Sequence, residues 1–302
     1  MSALLSDTFY WLLNMSIVAS LAGCVLLLLR LIPRLPRRVL YPLWAVVLLR
    51  LCTPLGVASD FSILKLLPHK SVTFPGFPDS MPGANAIMAA DDYFPIIFHS
   101  GSLGFLFTIA SAVWVTVAMI LMLIELTSYV QALRQCHRAT HWKDRIYISE
   151  FASGPMVCGI LRPRILLPQN YEDRNLEFIL AHERIHIRRL DNLWRLIGLT
   201  AACVHWFNPL IWLFLKCFLT DMELSCDEAV LHKLSPQQRT DYARTLLSSA
   251  QRQSLLLSPF GHAPTSQRIR NILSYRRLSA AATLFLSIAA ACICVLLLTN
   301  SR

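Results

Sequence analysis

The pentapeptide His182-Glu183-Arg184-Ile185-His186 sets two imidazoles four residues apart, with a carboxylate directly after the first. Positions i and i+4 of a helix share one face, so His182 and His186 can offer two nitrogens to one metal ion. Zinc suits this ligand type and spacing. Glu183 then stands where a carboxylate takes a proton from metal-activated water, the task of a general base in peptide hydrolysis. A non-catalytic scaffold or signalling protein with a structural metal is the competing reading, but it leaves Glu183 without a task.

A third ligand must come from another element. Asn208-Pro209 reads as a helix N-cap followed by proline at the first helical position. That predicts two helices meeting near 205–208, against the membrane face, in place of one long crossing. Counted from Phe207, His186 lies 21 residues before, Glu223 16 after and Asp227 20 after, so both carboxylates return to the level of the histidines. Two histidines and a carboxylate leave a fourth position open for water. Glu223 is the candidate ligand, with Asp227 and Glu228 as competitors on the same helix. Asp191, soon after His186, either orients it or pairs with Arg188 or Arg195. Tyr242, His232 and His262 are candidates to stabilise an oxyanion. His205 reads as interfacial and Cys226 as a packing residue.

The elements that must hold these groups follow from the local patterns. LEFILAHERIHIRRLDNLWRLIGL, preceded by Asn175, is acidic near its start and basic after the motif, which suits a single helix. The segments 145–149 and 164–168, separated by Gly154-Pro155 and Gly159, predict two or three short strands in an antiparallel hairpin. Such strands could hold an extended substrate by strand addition.

The chain has 302 residues, of which 55% are hydrophobic and 15% charged, with a mean hydropathy of +0.50, which excludes an ordinary soluble domain. Four stretches approach the roughly twenty residues that a hydrocarbon core requires: about 9–32, 40–58 with Arg50 inside it, 101–124 and 278–299. The first has no basic region ahead of it, which argues against a cleaved signal peptide. Arg30, Arg34, Arg37 and Arg38 crowd the first connection, and 20 of the 28 Lys and Arg fall in 128–277. The positive-inside rule then places both segments in the cytoplasm and both termini outside. The domain plan is a membrane part, 1–127, with an outer loop at 60–100, a cytoplasmic part, 128–277, and a last span with its tail, 278–302. The outer loop, with FPGFPDSMPG at its centre, is long enough to meet an external partner.

The net charge of +10 is dispersed along the chain, so it reads as a bias toward the inner membrane face, and no direct nucleic-acid binding is expected. No two of the nine cysteines form a CxxC pair, so a zinc ribbon is excluded. A transporter is disfavoured because Arg50 is the main polar position in the spans.

HERIH at 182–186 followed by IRRLD, WFNP at 206–209, DMELSCDEAV at 221–230 and GPMVCGILRPRILLP at 154–168 together resemble the BlaR/MecR family of membrane zinc metallopeptidases. The resemblance extends over nearly the whole chain. It implies a mainly α, polytopic membrane protein of four transmembrane helices, with an α+β gluzincin-like zinc domain between the third and fourth. It further implies that His182, His186 and Glu223 hold Zn2+ and that Asp227 orients one of the histidines through its free ring N–H. Regulated proteolysis is the implied activity, with a transcriptional repressor or the chain itself as substrate, and a separate sensor or a second copy as partner in the bilayer. Full-length sensors of the family carry an extracellular penicillin-binding domain after the fourth span. Only Ser301 and Arg302 stand there in this sequence, so direct covalent sensing of beta-lactams is not expected.

Overall fold

The computed structural model describes residues 2–32, 35–53, 57–58, 101–152, 154–169, 176–252, 264–277 and 279–300; the outer loop 60–100, Asn175 and His262 lie outside them. The N-terminal part consists of α1 (Ser2–Arg30), α2 (Arg37–Cys52), the short strand β1 (Val57–Ala58) and α3 (Gly101–His137). Strands β2 (Thr140–Lys143), β3 (Ile146–Ser149), β4 (Met156–Cys158) and β5 (Arg164–Pro168) follow. Then come α4 (Leu176–Arg189), α5 (Asp191–Val204), α6 (Pro209–Leu231), α7 (Pro236–Arg252), α8 (Thr265–Ser274) and α9 (Ala280–Leu298). A two-residue strand β6 (Thr299–Asn300) pairs in parallel with β1.

Among the described residues, three helices are long and apolar enough to cross a membrane: Leu4–Arg30, Phe105–His137 and Ala281–Leu298. In the latter two, only 17% and 6% of the most apolar window is buried within the protein, so their apolar surface is left for lipid. The expected second span at 40–58 begins on a shorter helix, and 54–56 lie outside the described residues. Its helix runs from Arg37 to Cys52, 16 residues, or about 24 Å, short of a hydrocarbon core of about 30 Å. Leu40, Trp44, Val47 and Leu51 of this helix are buried in a core shared with α1, α5, α6 and α9. Arg50 donates from Nε to the Leu297 carbonyl at 3.0 Å and so ties α2 to the last helix.

The sheet has the order β2-β3-β5-β4. The expected antiparallel pairing of 145–149 with 164–168 is replaced by a parallel one, Ile146 opposite Ile165 and Ser149 opposite Pro168. The reason is β4, which turns back through Gly159 (φ 88°) to form its own antiparallel hairpin with β5, so that β5 recovers the direction of β3. A second hairpin, β2–β3, turns at Asp144 (φ 50°).

The predicted single helix through the HExxH motif is also two. Leu190 adopts a left-handed conformation (φ 57°, ψ 37°) between α4 and α5 and breaks the axis directly before Asp191. The predicted turn at 205–208 is present: α5 ends at Val204, and the Asn208 side chain accepts from Leu210 N–H at 3.0 Å to start α6. His205 is fully buried there, its Nε2 3.1 Å from the Leu51 carbonyl, a structural contact between α2 and the turn.

Candidate metal centre

Helix α4 carries His182, Glu183 and His186, all buried, and α6 returns past it with Glu223 at 2% exposure. Three ligand-type atoms converge. His182 Nε2 lies 3.0 Å from His186 Nε2, and Glu223 Oε2 lies 3.4 Å from the first and 3.7 Å from the second. A tetrahedral ion with bonds of ~2.0–2.1 Å holds its ligand atoms ~3.3 Å apart, so this triangle fits zinc. Among the described residues a second group, His186, Asp191 and Cys226, also comes within ligand range of itself. Asp191 is already engaged by Tyr41 and Arg189, which makes it the weaker candidate.

Each histidine presents its other nitrogen to a carboxylate. His186 Nδ1 is 2.7 Å from Asp191 Oδ2, and Asp191 is held in turn by the Tyr41 hydroxyl at 2.8 Å. His182 Nδ1 is 3.2 Å from Asp227 Oδ1. Asp227 receives a two-pronged clamp from Arg268 of α8, Nε to Oδ2 at 2.8 Å and Nη2 to Oδ1 at 2.7 Å. The Tyr242 hydroxyl of α7 donates to the same Oδ1 at 2.6 Å and stands 3.1 Å from His182 Nδ1. A carboxylate behind a ligating imidazole fixes its tautomer and ring plane. The other oxygen of Glu223, Oε1, is taken by Arg195 of α5, which leaves Oε2 for the triangle.

The electrostatics agree with ionised carboxylates. Burial alone would raise Glu223, but the charge of His186, hydrogen bonds from both histidines and the Arg195 guanidinium hold it well below the usual range. Asp227 is likewise pushed up by burial and pulled well below its ordinary value by Arg268 and His182. Both histidines are raised above the ordinary imidazole value. For His182, burial and Arg268 work downward and hydrogen bonds to Asp227 and Glu223 prevail. For His186, burial is overridden by Cys226, Glu223 and Asp191.

The sequence-derived candidates therefore separate. His182, His186 and Glu223 meet, and Asp227 lies behind His182. Glu183, at 8% exposure, makes no hydrogen bond or ion pair with any described residue. Glu228 is drawn away from the centre: its two oxygens accept the backbone N–H groups of Arg37 and Arg38 at 3.0 Å each. Tyr242 stands on the Nδ1 side of His182, where it supports Asp227, not on the Nε2 side that an oxyanion would face. His232 is exposed at the end of α6. Cys226 is buried with Sγ 3.5 Å from both His186 Nδ1 and Asp191 Oδ2, closer to the centre than a packing role required. Arg195 and Arg268 were not anticipated as site residues. Arg268 also reaches the rim of the triangle, with Nη2 3.3 Å from His182 Nε2 and Nη1 3.7 Å from Glu223 Oε2. Nothing in the spacing of either arginine marks it.

Regulatory protein BlaR1 of Bacillus licheniformis is 35% identical to the chain over 124 residues, which is 39% of this chain and 21% of that protein. The methicillin resistance mecR1 protein of Staphylococcus aureus (strain Mu50) is 27% identical over 129 residues, 40% of this chain and 22% of that protein. The mecR1 protein of Staphylococcus epidermidis matches to the same extent. The chain thus spans about a fifth of the length of these curated relatives. A family model described as BlaR1 peptidase M56 matches residues 10–278, and with apolar helices on either side of a metal-ready centre, the chain belongs to that family of membrane metallopeptidases.

Proposed function

We propose that the protein is a zinc endopeptidase of the gluzincin type that hydrolyses peptide bonds at the cytoplasmic membrane face. The observation that carries this reading is Glu183: a buried carboxylate with no partner among the described residues, next in sequence to a histidine of the triangle. A carboxylate left free of protein partners beside a metal-binding histidine is placed to take up a proton from water. His182, His186 and Glu223 would hold the ion, Asp191 and Asp227 orienting the two imidazoles. Bound there, zinc supplies Lewis-acid activation of water and of the scissile carbonyl. Glu183 accepts the proton of the attacking water and passes it to the departing amine nitrogen as the C–N bond breaks. The rim of β4 adjoins this site, since Val157, Gly159 and His186 line one small hollow, and an extended peptide laid along β4 would present its backbone there.

The topology belongs to the same proposal: four crossings with α2 as the second, both termini outside, and 128–277 as the cytoplasmic peptidase part. The support is the distribution of basic residues. A transcriptional repressor or a second copy of the chain is the proposed substrate, in keeping with relatives named for regulation and resistance.

The test uses the detergent-purified chain, wild type beside Glu183→Gln, with zinc content and cleavage both measured, the latter by mass spectrometry of the chain itself and of a quenched-fluorescence peptide library. About one zinc per chain in both proteins, with cleavage at least 100-fold slower in Glu183→Gln and abolished by chelator, is expected. Wild-type cleavage by Glu183→Gln would sink the mechanism.

A further inference from the structure

Apart from the metal centre, the described residues enclose a cavity of about 910 Å3 between the start of α2, the far half of α6 and α8. Arg37, Arg38, Arg270 and Arg276 line it, against a single carboxylate, Glu228. That carboxylate is spent: both oxygens accept backbone N–H groups of α2. The side chains of Arg270 and Arg276 make no hydrogen bond or ion pair with any described residue. Four guanidinium groups thus stand around a cavity of ligand size, two of them exposed and unengaged, a set whose charge and forked donors suit a phosphate-type anion.

The position of the cavity says where such an anion would come from. Arg30, the last residue of the first apolar helix, shares Asp221 with Arg37 at 3.2 and 3.5 Å. Arg38 Nη2 reaches Thr283 Oγ1, in the first turn of the last apolar helix, at 3.4 Å. Arg276 precedes that helix by four residues. The cavity therefore lies where two apolar helices end, at the level of headgroups. Its wall also carries Leu273, 73% exposed, an apolar surface beside the charges. A purely water-soluble anion has no use for that surface, whereas a glycerophospholipid does.

We infer that this cavity binds a phosphate-bearing glycerol headgroup, that of an anionic membrane phospholipid. The site is independent of the catalytic reading. Its wall nevertheless includes Leu224, beside Glu223, and α8, whose Arg268 clamps Asp227, so that its occupant braces the elements behind the metal centre.

The experiment titrates the delipidated, detergent-purified full chain with phosphatidylglycerol, phosphatidylcholine or glycerol 3-phosphate and follows the thermal unfolding midpoint. Native mass spectrometry counts the lipids retained. Three proteins are compared: wild type, Arg270→Ala/Arg276→Ala, and Arg162→Ala/Arg244→Ala as a control for diffuse charge. Saturable stabilisation by phosphatidylglycerol and not phosphatidylcholine is expected, with one retained lipid and apparent affinity at least tenfold weaker in the cavity variant alone. Glycerol 3-phosphate matching phosphatidylglycerol, with the same loss, keeps the phosphate site but overturns its lipid source. No saturation by either phosphate, or equal weakening in both variants, overturns the site itself. Should the cavity double variant fail to fold, the single Arg270→Gln is read by the same two measurements.

Discussion

Each histidine of the motif has two nitrogens with separate tasks, and the outer pair decides how well the inner pair is aimed. His186 depends on Asp191, whose carboxylate is itself fixed by Tyr41 and Arg189. Removing it frees the ring to turn and to change tautomer, so Asp191→Ala should weaken zinc binding about 10- to 100-fold. Asp191→Asn keeps an acceptor oxygen and should lose less. Competition with a chromophoric chelator measures both, and wild-type affinity in Asp191→Ala would remove Asp191 from the site. This residue also shows why the sequence left part of the centre open between two readings. On an unbroken helix Asp191 lies five residues, or ~140° of rotation, from His186 and faces away. The left-handed Leu190 turns it back, and leucine gives no hint of that conformation, which glycine or asparagine usually occupies. Glu223 and Asp227 were legible because both sit on one regular helix, four apart, counted from a turn marked by Asn208-Pro209.

Among the elements, α6 does most to unite the molecule, carrying Glu223 and Asp227 toward α4 and Asp221 and Glu228 toward α2. Asp221, fully buried, accepts the Trp44 indole N–H at 2.8 Å and the guanidinium groups of Arg30 and Arg37. Glu228 is the missing cap of α2. The residue at its N-cap, Pro36, has no side-chain acceptor, so the N–H groups of Arg37 and Arg38 depend on a carboxylate from 190 residues away. Glu228→Ala should therefore cost about 1–3 kcal/mol, with Glu228→Gln milder because an amide oxygen can still accept. Unfolding in mixed micelles reads the difference, and an unchanged midpoint in Glu228→Ala would show that the cap is solvated without cost. The same distance explains what the sequence concealed. Local signals place a helix, a turn or a strand, but a cap lent by a remote helix and the parallel pairing of β3 with β5 depend on which elements meet.

Across the whole molecule, the metal centre joins α4 to α6 directly and α5, α7 and α8 through Arg195, Tyr242 and Arg268, so occupancy by zinc should register as global stability. A ligand that binds only the folded chain adds about 2.7 kcal/mol at a hundred times its Kd. The pH dependence follows from the raised histidines. In the metal-free protein His182 and His186 hold protons to higher pH than a free imidazole does, and those protons must leave before Nε2 can bind an ion. Glu223, held low, stays ionised and adds no competing proton. Zinc affinity should therefore rise with pH until it exceeds both histidine values, and then level off. Below them, two protons are displaced per ion, and affinity should fall about 100-fold for each pH unit lost. Thermal unfolding with saturating zinc and with chelator, at pH 6, 7 and 8, gives the stabilisation as a difference at each pH. The difference should shrink toward pH 6, while Glu223→Ala should abolish it at every pH. A zinc-dependent difference of constant size across that range would mean that the ion rests on groups other than these two histidines.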